Sequence, residues 1–207
     1  MLSLLGKSSS INVRKVLWAC TEIGVKYQHE EVGSGTQSVS TEAFLALNPN
    51  GMVPVIKDED YVLWESNTIC RYLATKYHRN DLRPANLQER AIVEQWMDWQ
   101  ATELNNSWRY AFMALVRHSP AHADPSTISS SVSNWNRHMK ILDAQLTKTA
   151  AYAASETFSL ADIVLGLSTH RWMMMEMDKP ELPAVTAYYE LLSQRPAFLQ
   201  HGRNGMP

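Results

Sequence analysis

The run Asn48-Pro49-Asn50-Gly51-Met52-Val53-Pro54-Val55-Ile56 constrains this chain more than any other. Proline gives nothing to a sheet ladder, so Pro54 at the head of a β-branched run belongs at an edge or a bend. A cis Val53-Pro54 bond would turn the Val53 amide and carbonyl outward together, ready to pair antiparallel with an extended peptide. An ordinary edge-strand proline also satisfies the pattern. Two short apolar runs follow, Val55–Lys57 and Tyr61–Trp64, parted by Asp58-Glu59-Asp60, which predicts a β-hairpin. Helical spacing begins after Glu65, with Ile69, Tyr72, Leu73 and Tyr77 on one stripe and Ser66 at the N-cap or first turn. Unsatisfied amides and a hydroxyl at a helix start favour a carboxylate. Glu65 beside them can accept from an ammonium group, so the pair suits the α-amino-acid end of a small acidic peptide. A plain capped helix with a first-turn acid is the structural alternative.

The flanking segments extend the pattern. Leu2–Leu5 reads as a strand, Ser8-Ser9-Ser10 as a polar turn, and Val13, Val16, Leu17, Cys20 and Ile23 as an amphipathic helix closing near Gly24. Lys26–Val32 reads as a strand and Thr41–Leu47 as a short helix. Residues 78–84 are polar and end in Pro84, which marks a linker. Beyond it the pattern is helical over Glu89–Val116, Ser126–Leu146, a segment opened by Ser159, and Pro183–Leu192. Ser159 with Asp162 forms a variant capping box, and Phe158 can staple onto Ile163. Arg195-Pro196 and a frayed tail over 201–207 close the chain. We therefore expect domains at 1–78 and 85–207 joined by a linker at 79–84.

A net charge of −2 offers no field for nucleic acid or a membrane surface. No apolar run approaches the roughly 20 residues of a membrane span, and the N-terminus lacks a signal peptide's apolar core. Cys20 and Cys70 fall on apolar helix faces and outside any Cys-x-x-Cys, so they read as reduced core thiols in a cytoplasmic protein. No metal is expected.

Val53-Pro54-Val55-Ile56 followed by Glu65-Ser66-Asn67-Thr68-Ile69 resembles the glutathione site of the glutathione S-transferase superfamily. The resemblance implies an α/β thioredoxin-like N-terminal domain, an all-α helical-bundle C-terminal domain, glutathione as co-substrate, and a homodimer. It implies that Val53, Pro54, Glu65, Ser66 and Asn50 bind glutathione. The N-terminal turn resembles that of serine-type members (theta, delta and zeta-like), which makes Ser10 the expected sulfur contact, with Ser9 and Asn12 as rivals. Ser8 is also near enough, and a helix N-cap is the structural alternative for all of them. A partial likeness to beta-type members over residues 96–104 makes Asp98 a further ligand for the glutathione amine, while Asn105 stands where they carry histidine. Many relatives place Lys or His just before the Val-Pro element to hold the glycine carboxylate. Here Gly51 and Met52 stand there, leaving Lys7, His29 and Arg109 as candidates on charge alone.

A hydroxyl and a helix start together are expected to activate the thiol. A thiol of pKa near 8.5 is only a few per cent thiolate at pH 7. A hydrogen bond to the charged form lowers it by about 1–2 units, and a helix N-terminus adds about 0.3–1 kcal/mol, reaching about 6.5. The expected activity is conjugation of the glutathione thiolate to small hydrophobic or halogenated electrophiles, in a pocket including Trp108, Arg109 and Met113. Glutathione-dependent disulfide or peroxide reduction uses the same thiolate. A transferase-like scaffold without turnover is the third possibility.

Overall fold

Leu2, Leu4 and Leu5 are nearly or wholly buried, and the strand they make, β1 (Leu2–Leu5), runs through the middle of a four-stranded sheet. The computed structural model describes residues 1–205, which form two compact units: 1–86 with 193–205, and 87–192. In the first unit α1 (Ile11–Ile23) follows β1 and ends at Gly24, whose φ of 81° closes the helix as a left-handed cap. β2 (Tyr27–Glu30), α2 (Glu42–Leu45), β3 (Val55–Asp58), β4 (Tyr61–Trp64) and α3 (Ser66–Lys76) complete it. The strand order is β2-β1-β3-β4, with β1 and β2 parallel and the other pairs antiparallel. This is the expected thioredoxin-like arrangement. The strand expected over 26–32 is shorter because Val32 leaves the ladder to bridge Gln37. Leu5, Val32, Phe44 and Val55 form a small core beneath the long loop that leads to β3.

The C-terminal segment departs from expectation. Pro196–His201 is a helix, α9, and the tail expected to fray from residue 201 instead begins with His201 and Gly202 buried. Residues 206–207 lie outside the described residues. Phe198 stacks on Trp18 of α1 at 4.9 Å, and Arg195 grips Glu22 with two bonds of 2.9 and 2.6 Å. The Arg14 guanidinium, itself buried, donates to the His201 and Gly202 carbonyls at 2.6 and 2.5 Å. Those are the orphan acceptors at the end of a helix, so the cation also meets the favourable end of the helix dipole.

In the second unit α4 (Leu87–Trp99) passes through a π-helical turn at Gln100–Leu104 into α5 (Asn105–Leu115), where the sequence predicted one helix. Buried Gln100 fixes that turn by donating to Asn105 Oδ1 and Ser168 Oγ, both at 2.9 Å. α6 (Pro125–Thr149), α7 (Leu160–Met174) and α8 (Pro183–Leu192) complete the unit. Residues 160–172 of α7 are all buried, as an all-round apolar helix requires. The capping box at its start is present: Asp162 accepts from the Ser159 N–H at 2.8 Å, and also from the Ala153 N–H at 2.8 Å and the Tyr188 hydroxyl at 3.0 Å.

The two units are expected to respond to mild acid in opposite senses. Burial, then the nearby Arg14 charge, pushes His201 down to about 4. Unfolded chains take up that proton near 6.5, so this stability is full above 6.5 and is lost as pH falls toward 4, by up to about 3 kcal/mol. Burial pushes Asp162 up to about 6 against its hydrogen bonds. There the folded state holds the extra proton, so the second unit gains as pH falls from about 6 to 4. Hydrogen-exchange protection, corrected for intrinsic rates, should fall in α9 and hold or rise in α7 between pH 7 and 5. Unchanged α9 protection would refute the His201 part.

Candidate active site

Three segments of the first unit converge on a cleft of about 260 Å³. Asn12 comes from the first turn of α1, and Glu65 with Ser66 from the start of α3. Asn48, Asn50, Met52, Val53 and Pro54 come from the loop before β3. The sequence makes that loop locally. The Asn48 side chain is buried, donates to the Met52 carbonyl at 2.8 Å and accepts from the Asn50 N–H at 3.1 Å, a side-chain mimic of a turn. Gly51 sits at φ 60°, where a side chain would be strained. The Val53-Pro54 bond is cis. Among the described residues neither the N–H nor the C=O of Val53 has a hydrogen-bond partner, so both remain available to a peptide.

At the opposite wall Ser66 is the first residue of α3, and its buried hydroxyl donates to Asn12 Oδ1 at 3.4 Å, joining two helix starts. The N–H groups of Ser66 and Thr68 precede the first intrahelical bond, from Ile69 N–H to the Glu65 carbonyl, and a helix start of this kind suits an anion. Glu65 stands at φ 72°, ψ 108°, a sparsely populated conformation costing about 1–3 kcal/mol that surrounding structure must impose. Such strain recurs at ligand-binding positions.

Ser10 occupies the N-cap of α1, and its hydroxyl makes no capping bond. No partner for it exists among the described residues, which leaves a donor at the positive end of a helix with no acid in its first turn. Ser9 is exposed, and Ser8 anchors the loop by giving its N–H to Glu31. Buried Lys15 donates to Asn67 Oδ1 at 3.3 Å, adding positive charge behind the α1–α3 corner. Cys20 and Cys70 are buried free thiols pushed up to about 12 by desolvation, and so are inert toward this chemistry.

The cleft thus gathers Asn12, Asn50, Val53, Pro54, Glu65 and Ser66. Ser9 and Ser10, just before α1 in the same unit, are not among its lining residues, and the remaining expected residues lie on the second unit. Asp98 is on the exposed side of α4, Trp108 packs against Phe112, Trp135 and Arg171, Arg109 is exposed, and Met113 is half-buried. Asn48, not singled out from the sequence as a site residue, is the pin of the loop; its signal was the Asn-Pro-Asn-Gly turn itself. Among the described residues no group of three His, Cys, Asp or Glu is placed to hold a metal ion.

The first unit thus combines a thioredoxin-like sheet, a cis-proline edge with open backbone groups, an uncapped helix start and an unengaged N-cap hydroxyl. Residues 9–76 match the family model for the glutathione S-transferase N-terminal domain. The chain is 35% identical to glutathione S-transferase GstB of Escherichia coli K12 over 95% of each protein. A theta class glutathione S-transferase from Xanthomonas axonopodis pv. citri, solved with glutathione bound, is 36% identical with a TM-score of 0.92, covering 100% of this chain and 99% of that one. Glutathione transferase F7 of Populus trichocarpa is 28% identical with a TM-score of 0.87 over the whole of both chains. The chain belongs to the glutathione S-transferase family.

Proposed function

We propose that this glutathione S-transferase conjugates the glutathione thiolate to small hydrophobic or halogenated electrophiles, with Ser10 as the principal sulfur contact. The observation that carries this reading is the Ser10 hydroxyl, which caps nothing in its own helix and is therefore a donor for a ligand. In this scheme Ser66 and the α3 amides take the γ-glutamyl carboxylate, Glu65 takes the amine, and the Val53 backbone pairs with the cysteinyl residue. Asn12, which lines the same cleft, is a rival contact for the sulfur. Ser9 is the remaining rival. Asp98 remains a candidate for the amine, and Trp108, Arg109 and Met113 for the electrophile.

No group on the protein need attack. Ionising the thiol and holding it beside an electrophile supplies the catalysis. Assays of the purified chain with 1-chloro-2,4-dinitrobenzene, a haloacid and hydroxyethyl disulfide test the substrate class. Turnover of the disulfide alone would replace conjugation by reduction. No helix among the described residues is long and apolar enough to cross a membrane; a cytoplasmic homodimer completes the proposal.

Replacing Ser66 by alanine removes a hydroxyl that meets a charged group. The expected result is a rise in KM for glutathione of about 10- to 100-fold and loss of retention on a glutathione column. Unchanged retention would move the γ-glutamyl end elsewhere.

A further inference from the structure

Among the residues lining the cleft, Glu65 alone carries a charge, and that charge is negative. The proposed co-substrate carries two carboxylates and one ammonium group. Glu65, Ser66 and the α3 amides account for one carboxylate and the ammonium, and the start of α1 accounts for the sulfur. The glycine carboxylate is left facing the remaining wall, Asn48–Met52.

That wall is neutral by construction. No Lys, Arg or His occurs between His29 and Lys57, a stretch that does contain Glu30, Glu31 and Glu42. Asn48 commits its amide to the Met52 carbonyl and its oxygen to Asn50. Gly51 contributes no side chain, and Met52, 61% exposed, contributes an apolar one at the rim. The nearby cations of this unit are not among the residues lining the cleft. The Lys7 stem packs against Gly33, and His29 bonds the Gly6 carbonyl at 2.7 Å.

We infer that the glycine-end subsite is charge-neutral, so that this enzyme accepts thiol tripeptides whose C-terminal carboxylate is esterified or amidated nearly as well as glutathione. The inference rests on the transferase reading and narrows its substrate class. A carboxylate held by a charge-assisted hydrogen bond is favoured by about 10- to 150-fold over its neutral derivative. A carboxylate left in solvent beside amides carries no such preference.

Calorimetric Kd values for glutathione, its glycyl monoethyl ester, its C-terminal amide and N-acetylglutathione decide the matter, with kcat/KM measured for the same thiols. The ester and the amide are expected within tenfold of glutathione, while N-acetylation, which removes the ammonium partner of Glu65, weakens binding by tenfold or more. A loss of tenfold or more with the ester or amide overturns the inference, and so does failure of every thiol to bind. Failure of the transferase reading shows separately, as absent turnover, and leaves the Kd ratio decisive. Met52→Lys supplies the converse: a cation at the rim should create a preference of at least tenfold for glutathione over its ester. If no preference appears, the glycine end does not meet this wall and the inference falls.

Discussion

Replacing Ser10 by alanine is expected to raise the pKa of bound glutathione by about 1–2 units and, through the lost thiolate fraction, to lower kcat at pH 7 by about 3- to 25-fold. The hydroxyl is one hydrogen bond to a developing charge, worth about 1.5–3 kcal/mol, and 1.36 kcal/mol is one pKa unit. The N-cap of α1 has no other use for it, so the helix should survive the change. Glutathione affinity measured at low pH, where the thiol is neutral in both proteins, should hardly alter. Titrating thiolate absorbance in the bound complex reads the shift directly. If the pKa and turnover are unchanged while binding persists, the sulfur is activated elsewhere, and Asn12→Ala and Ser9→Ala become the deciding variants. Raising the pH should restore much of the lost rate, since the defect lies in ionisation; a pH-independent loss would instead indicate misplaced substrate.

Asp162→Ala should cost the second unit about 3–5 kcal/mol of stability. The carboxylate is fully buried and accepts from the Ser159 and Ala153 N–H groups, the Ser159 hydroxyl and the Tyr188 hydroxyl. Removing it orphans buried donors at about 1–3 kcal/mol each, and the cap of the central helix goes with them. Five of the seven tryptophans, Trp96, Trp99, Trp108, Trp135 and Trp172, belong to this unit, so fluorescence during urea unfolding reports it. Asp162→Asn keeps the shape but brings an N–H₂ group against donors, and should fall between. A loss below about 1 kcal/mol for the alanine variant would show that the carboxylate's desolvation had cancelled its bonds, consistent with burial pushing it up to about 6.

The legible parts of the structure are those whose cause is local. The hairpin was written in two apolar runs around an acidic triplet, the Val53-Pro54 edge in proline chemistry, and the Ser66 helix start in capping chemistry. Each needs only neighbours in sequence. The idle hydroxyl of Ser10 was not legible, because a serine before a helix ordinarily caps it, and only coordinates show that this one does not. The π-helical turn escaped because apolar stripes on either side of Gln100–Leu104 each fit a helix, while one added residue rotates the second stripe relative to the first. It depends on a bond from Gln100 to Ser168, and such a partner is invisible to periodicity. The same holds for α9, whose docking rests on Arg14 and Glu22, both in α1 and far away in sequence.

Because α9 closes over α1, the first unit is assembled from both sides of the helical unit in sequence. On a ribosome the sheet can pair early, yet Trp18 and Arg14 must wait exposed until the whole of residues 87–192 and then Phe198 have been synthesised. Any pause or premature stop in the helical region leaves an apolar helix face uncovered, which makes it the natural target for chaperones during synthesis of this protein.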